Sequence, residues 1–128
     1  MQTECMEVYD VIISLASNNQ QEQNLHKAQA ILAQILSEPY FSDAIWTKPF
    51  GIDDASVPLY LNQLVFAKTQ LTAEQINVRL KEIESQLGRT QEQKKKGIVS
   101  IDLDLLQHNN TKFHLSDWER PYIKQLIK

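Results

Sequence analysis

Ile101-Asp102-Leu103-Asp104-Leu105-Leu106 reads as a β-strand, because apolar residues at 101, 103 and 105 alternate with acids at 102 and 104. One face then carries Ile101, Leu103 and Leu105, and the other carries both carboxylates. Aspartate is a poor strand former, and two like charges on one face of a short strand need a reason. A divalent cation with a preference for hard oxygen ligands supplies one. The plain alternative is a strand with that face in water and its carboxylates solvated. This stretch also decides the fold, since it stands as the last of four strand patterns interleaved with two helix patterns.

Immediately upstream, 89–97 (RTQEQKKKG) is polar, charged and aperiodic, which predicts a mobile loop. Its Lys94-Lys95-Lys96 run is either solvated or placed to neutralise a polyphosphate beside the acids. Before the loop, Ile76, Leu80, Ile83 and Leu87 line a helix. Thr72 and Gln75 open that helix as a capping box, and Gly88 closes it. Glu84 falls near its apolar face, close to the end. The run 60–69 (YLNQLVFAKT) alternates as a strand, with Asn62 polar where an apolar residue is expected. A buried amide there could read a heterocycle by paired hydrogen bonds, and Tyr60 shares its face as a ring that could stack.

Further back, 48–58 is bounded by Pro49 and Pro58 and predicts a loop of about eleven residues, long enough to be suspected of function. The aromatic-rich 40–47 reads as another strand. Over 22–36 the apolar positions recur at helical spacing, with Pro39 as the stop. The nearly continuous apolar run 8–16 (VYDVIISLA) reads as a central strand buried on both faces, and Ser17-Asn18-Asn19 after it can turn the chain and cap the helix. Beyond the acid strand, Ser116 or Asp117 is expected to cap a short final helix through Trp118, Tyr122 and Leu126. The order β-α-β-β-α-β predicts an α+β, ferredoxin-like domain over 1–128. Its antiparallel sheet would carry helices packed on one face, and a short C-terminal helix would follow.

Composition narrows the function. With 128 residues, 42% of them hydrophobic, the chain suits a single globular domain. A net charge of −3 gives no general attraction to nucleic acid. Cys5 is the only cysteine, which excludes a disulfide framework or a cysteine metal cluster within the chain. No apolar run approaches the roughly 20 residues that cross a bilayer, and residues 1–7 lack the marks of a signal peptide. The expectation is a cytoplasmic monomer without membrane or nucleic-acid partners. His26, His108 and His114 show neither metal-ligand nor triad spacing, so solvated or structural roles are expected. Phosphate-loop, dinucleotide and nucleophile-elbow glycine motifs are absent.

Five short motifs in order, Leu15-Ala16-Ser17-Asn18, the 47–49 turn, Tyr60-Leu61-Asn62, Leu87-Gly88-Arg89 and Ile101-Asp102-Leu103-Asp104, make the chain resemble the 6-hydroxymethyl-7,8-dihydropterin pyrophosphokinase family of folate biosynthesis. The resemblance implies transfer of pyrophosphate from ATP to the pterin hydroxymethyl oxygen, with release of AMP. It implies that Asp102 and Asp104 ligate two magnesium ions bridging the ATP phosphates. It places Thr47, Pro49, Phe50, Tyr60 and Asn62 on the pterin. It places Glu84, Arg89, Lys95 and Ile101 on the nucleotide, with Arg89 and Lys95 also counted as catalytic.

The departures from the family pattern fall mainly on the cationic side. Ala16 stands where the family has glycine, and Thr47-Lys48-Pro49 replaces its second turn. In the loop, Lys95 stands for an arginine, Lys96 for a tryptophan and Val99 for an arginine. Pro121-Tyr122 lacks the histidine of a Pro-His segment, and Trp118 or Tyr122 is the expected substitute for a second pterin-stacking aromatic. The alternative is therefore a degenerate member that binds a pterin, a nucleotide or a protein partner without transfer chemistry.

Overall fold

A computed structural model describes residues 7–49 and 56–127. In chain order the elements are β1 (Tyr9–Ser17), α1 (Gln21–Ile35), β2 (Ser37–Phe41), β3 (Ile45–Thr47), β4 (Tyr60–Thr69), α2 (Ala73–Gln86), α3 (Gln91–Lys95), β5 (Asp102–His108), β6 (Thr111–Lys112) and α4 (Pro121–Leu126), with a 3-10 turn at Leu115–Glu119. The strands form one antiparallel sheet in the order β2-β4-β1-β5-β6, and β3 also pairs with β4.

The edge expected as a single strand over 40–47 is two. Tyr40 and Phe41 pair with Phe66 and Val65, and Ile45 to Thr47 pair with Asn62 to Tyr60. Ser42 interrupts the ladder because its hydroxyl takes the bond from the Leu64 amide at 2.9 Å while its carbonyl accepts the Gln63 side chain at 2.7 Å.

Helices α1 and α2 lie on one face. Leu25, Ala28 and Leu32 of α1, with Ile76, Leu80 and Ile83 of α2, pack on Val11, Ile13 and Leu15 of β1 and on Leu103 and Leu105 of β5. Burying each such aliphatic side chain contributes about 1.5–3 kcal/mol, which is what holds the helices to the sheet. The central position of β1 is as expected, but burial on both its faces is not. Val11, Ile13 and Leu15 are sealed, whereas Ile12, Ser14 and Ala16 on the opposite face are only half-buried. On that side α4 covers one end, where Ile123 packs with Leu64 and Leu106, and leaves the other end open.

Local differences have local causes. The capping box at Thr72 and Gln75 forms as expected, with both reciprocal bonds present. Helix α1 instead begins after Gln20 in a left-handed conformation (φ 45°) with no side-chain cap. Asn18, expected to serve that helix, is spent elsewhere: its Nδ2 donates to the Gly97 carbonyl at 2.9 Å and its Oδ1 accepts from the Val99 amide at 2.6 Å. The predicted mobile loop over 89–97 contains α3, because the Thr90 hydroxyl caps the Gln93 amide at 3.1 Å. Ser116 and Asp117 lie inside the 3-10 turn, and α4 starts instead with Pro121 at its first position.

Candidate active site

Strand register sets the site. On the face away from α1 and α2, one row across the sheet runs Asp102, Ala16, Asn62, Ile45, and the next runs Asp104, Ser14, Leu64. Small residues at 14 and 16 leave space between the acids of β5 and the amide of β4. The result is a cleft of about 560 Å³. Ser14 and Ala16 form its floor, with Asp102 and Asp104 at one end and Thr47, Lys48, Pro49, Tyr60 and Asn62 at the other.

At the acid end, Arg89 Nη1 donates to Asp102 Oδ1 at 2.8 Å and lies 3.4 Å from Glu84 Oε2 and from the Ile101 carbonyl. Glu84 Oε2 also accepts the Leu103 amide at 2.8 Å, which ties the end of α2 to the start of β5. Burial pushes the Glu84 carboxyl up from the ordinary carboxylate range, against the pull of the Leu103 amide and Arg89. The Asp104 carboxyl is raised too, by burial first and then by the Asp102 charge. His114 Nε2 stands 3.7 Å from Asp104 Oδ1, so this histidine belongs to the site although its spacing gave no sign of it.

At the other end, Asn62 is only 3% exposed, and its Nδ2 donates to the Ile45 carbonyl at 2.9 Å and to Thr47 Oγ1 at 2.8 Å. The amide thus fixes β3 and presents its remaining polar atom from a rigid position. The Tyr60 phenol is raised by burial and by Asp102, opposed by Arg89, Arg120 and a hydrogen bond with Asn18.

Of the residues singled out from sequence, the fold brings Thr47, Pro49, Tyr60, Asn62, Asp102 and Asp104 into one cleft. Glu84, Arg89 and the Ile101 carbonyl join its acid end through the contacts above. Lys95 does not line the cleft; it lies exposed on α3. Phe50 lies outside the described residues. Asp117, Arg120 and Tyr122 line the cleft without having been foreseen as a group. Of the two aromatics proposed as a second stacking surface, only Tyr122 is there. Trp118 donates to the Phe113 carbonyl at 3.0 Å and takes Lys112 over its ring at 4.5 Å instead.

The acid end suits a magnesium ion. Two hard-oxygen side chains share one sheet face, 39% and 31% exposed, and burial together with the Asp102 charge disfavours ionisation of Asp104. Among the described residues no cluster of three or more His, Cys, Asp or Glu could hold a metal. Magnesium commonly uses one or two carboxylates and completes its shell with water and substrate phosphates.

Fold and cleft together define a class: an α+β sheet protein whose open sheet face carries a cleft between a carboxylate pair and an amide-bearing strand. The chain belongs to the 7,8-dihydro-6-hydroxymethylpterin-pyrophosphokinase family, whose model matches residues 12–126, from within β1 to the end of α4. It is a family of folate biosynthesis that uses ATP and magnesium and binds pterin. No curated protein matches the chain at a significant level. No helix among the described residues is long and apolar enough to cross a membrane.

Proposed function

We propose that the protein transfers pyrophosphate from ATP to 6-hydroxymethyl-7,8-dihydropterin in folate biosynthesis and releases AMP, acting as one domain over 1–128 and as a cytoplasmic monomer. The observation that carries the reading is the single cleft joining Asp102 and Asp104 to Asn62, Tyr60 and Thr47, in a chain matched by the family over nearly its whole length. With β2 and β3 counted as one interrupted edge strand, the sheet order also supports a ferredoxin-like assignment.

In this reading Asp102 and Asp104 hold two magnesium ions, which neutralise ATP phosphate charge when bound. Asn62 and Thr47 hydrogen-bond the pterin ring, Tyr60 stacks beside it, and Pro49 with Phe50 shapes that end. Arg89 and Glu84 set the orientation of Asp102 and the start of β5. Arg89, Lys95 and the Ile101 backbone serve the nucleotide. The pterin hydroxyl oxygen forms a bond to the β-phosphorus as the bond from that phosphorus to the α,β-bridging oxygen breaks; AMP leaves with that oxygen, and the hydroxyl proton passes to solvent. Catalysis rests on alignment and neutralisation, which a rigid sheet face supplies better than a strong base would.

A second reading, a family member that binds pterin or nucleotide without transfer, is favoured by the position of Lys95 on α3 outside the cleft. The deciding experiment incubates the protein with ATP, magnesium and the hydroxymethyl-dihydropterin and follows AMP. Formation above an Asp102→Ala/Asp104→Ala control supports transfer. AMP at the level of that control, with magnesium-dependent binding of a non-hydrolysable ATP analogue retained, leaves the second reading.

A further inference from the structure

Strands β4 and β5 flank β1, so the Asn62 amide and the two acids face each other across one strand, about 10 Å apart at ordinary strand spacing. Any ligand that touches both ends must cross β1, and that strand offers the cleft two side chains. Ala16 pairs with Asp102 on one side and Asn62 on the other, and presents only a methyl group. Ser14, one row further in, pairs with Asp104 and with Leu64. Directly opposed side chains on one sheet face stand about 5 Å apart at Cβ, which puts Ser14 beside Asp104. Leu64 is sealed beneath Ile123 of α4, so the open floor ends at Ser14. Among the described residues no group hydrogen-bonds the Ser14 hydroxyl, and no buried side-chain polar atom is left unpaired. The hydroxyl is therefore open to the cleft that its residue lines.

We propose that Ser14 reads the acceptor alcohol: its hydroxyl accepts the hydrogen bond of the ring's hydroxymethyl group and so aims that oxygen at the phosphate held by the acids. This rests on the function proposed above and adds to it the residue that selects the reacting group. A ring held on β4 sends its substituent across β1 toward β5, and of the two floor side chains on that line only Ser14 can hydrogen-bond. A serine hydroxyl both donates and accepts, so it satisfies the alcohol without taking the proton, which still passes to solvent. A ring without the hydroxyl would cover Ser14 Oγ and leave it unpartnered. That cost turns an aligning contact into selection for an alcohol.

The test measures binding of 6-hydroxymethylpterin and of 6-methylpterin, which lacks the hydroxyl, by pterin fluorescence with magnesium and a non-hydrolysable ATP analogue present. It compares the unsubstituted chain with Ser14→Ala, which removes a single oxygen and whose fold is checked by circular dichroism. The unsubstituted chain should prefer the alcohol by about threefold to tenfold, the range of one neutral hydrogen bond. Ser14→Ala should bind the two pterins alike, with its affinity for 6-methylpterin within about twofold of the unsubstituted chain's. Its AMP formation at saturating 6-hydroxymethyl-7,8-dihydropterin should fall by about tenfold, as for a misaligned reacting group. A preference that survives Ser14→Ala, an equal weakening of both pterins, or unchanged AMP formation overturns the proposal and leaves the proposed function in place. Absence of binding of either pterin by the unsubstituted chain overturns both.

Discussion

Arg89 Nη1 and Asp102 Oδ1 lie 2.8 Å apart, so one of the two carboxylates at the acid end already has a cation of its own. The same guanidinium is 3.4 Å from Glu84, and it is the shared counter-charge of a cluster that also includes Asp104. Its removal by Arg89→Met leaves three carboxylates facing one another. The groups are partly solvated, so the expected cost is about 1–2 kcal/mol, less than for a fully buried pair. In thermal melts this appears as a fall of several degrees. Magnesium should then raise the melting temperature of Arg89→Met more than that of the unsubstituted protein, because the ion takes over the neutralising role. Equal magnesium responses in the two proteins would count against a metal site at these acids.

Asp104 is held in a place that disfavours its charge, through burial and the neighbouring Asp102. A carboxyl whose folded pKa is raised binds its proton more tightly in the fold than in the unfolded chain. Its contribution to stability is therefore most favourable below the unfolded value and declines as pH rises through the folded one. Asp104→Asn should thus melt a few degrees higher at pH 7 than the unsubstituted protein. It should also lose stability less steeply as pH increases from about 4. The same variant should lose transfer activity by orders of magnitude. A variant that melts lower at pH 7 would show that the carboxylate contributes a stabilising contact rather than a functional liability.

How far the sequence revealed this arrangement differs between its parts. Period-two alternation identifies β4 and β5 because one face of each is sealed under helices. The capping box marks the start of α2 because its signal is local. The interruption at Ser42 was hidden, since a serine that substitutes for a ladder partner is indistinguishable from any strand serine until Leu64 is opposite it. Asn18 was visible as a turn residue, but its work is done 79 and 81 positions away. The cleft's outer wall was the least legible part. Arg120 and Asp117 carry no spacing that announces a ligand, and only the packing of Ile123 on the sheet brings them over the acids.

Asn18 itself supplies a prediction. It is 7% exposed and clamps the segment before β5 through both ends of its amide, beside a backbone bond from its own N–H to the Val99 carbonyl at 2.9 Å. Asn18→Ala leaves the Gly97 carbonyl and Val99 amide without these partners, at a cost of about 1–3 kcal/mol. The Val99 amide should exchange with deuterium faster in the variant, while exchange in α2 changes little. Because Asp102 begins three residues downstream, loosening this clamp should also lower transfer by about tenfold, in line with small misplacements of aligned groups. Unchanged protection at Val99 would show that the backbone bond alone holds the segment.

The two ends of the cleft are carried by different strands, and this allows their energetics to be separated. Asn62 Nδ2 bonds Thr47 Oγ1 at 2.8 Å and the Ile45 carbonyl at 2.9 Å, so it orders β3 before any ligand arrives. Thr47→Val removes one of those acceptors while conserving shape, and should cost about 1 kcal/mol. Asn62→Ala removes the donor from both and opens a space beside Ala16, so its cost should be roughly twice as large. Both variants should weaken binding of 6-hydroxymethylpterin, Asn62→Ala more than Thr47→Val. Both should leave binding of a non-hydrolysable ATP analogue within about twofold, because the Asn62 amide bonds Ile45, Thr47 and Tyr60, on β3 and β4 rather than on β5. Calorimetric titration with each ligand separately makes the comparison. Parallel losses of pterin and nucleotide binding would mean that β3 supports the whole cleft, and a two-ended site would then be the wrong description.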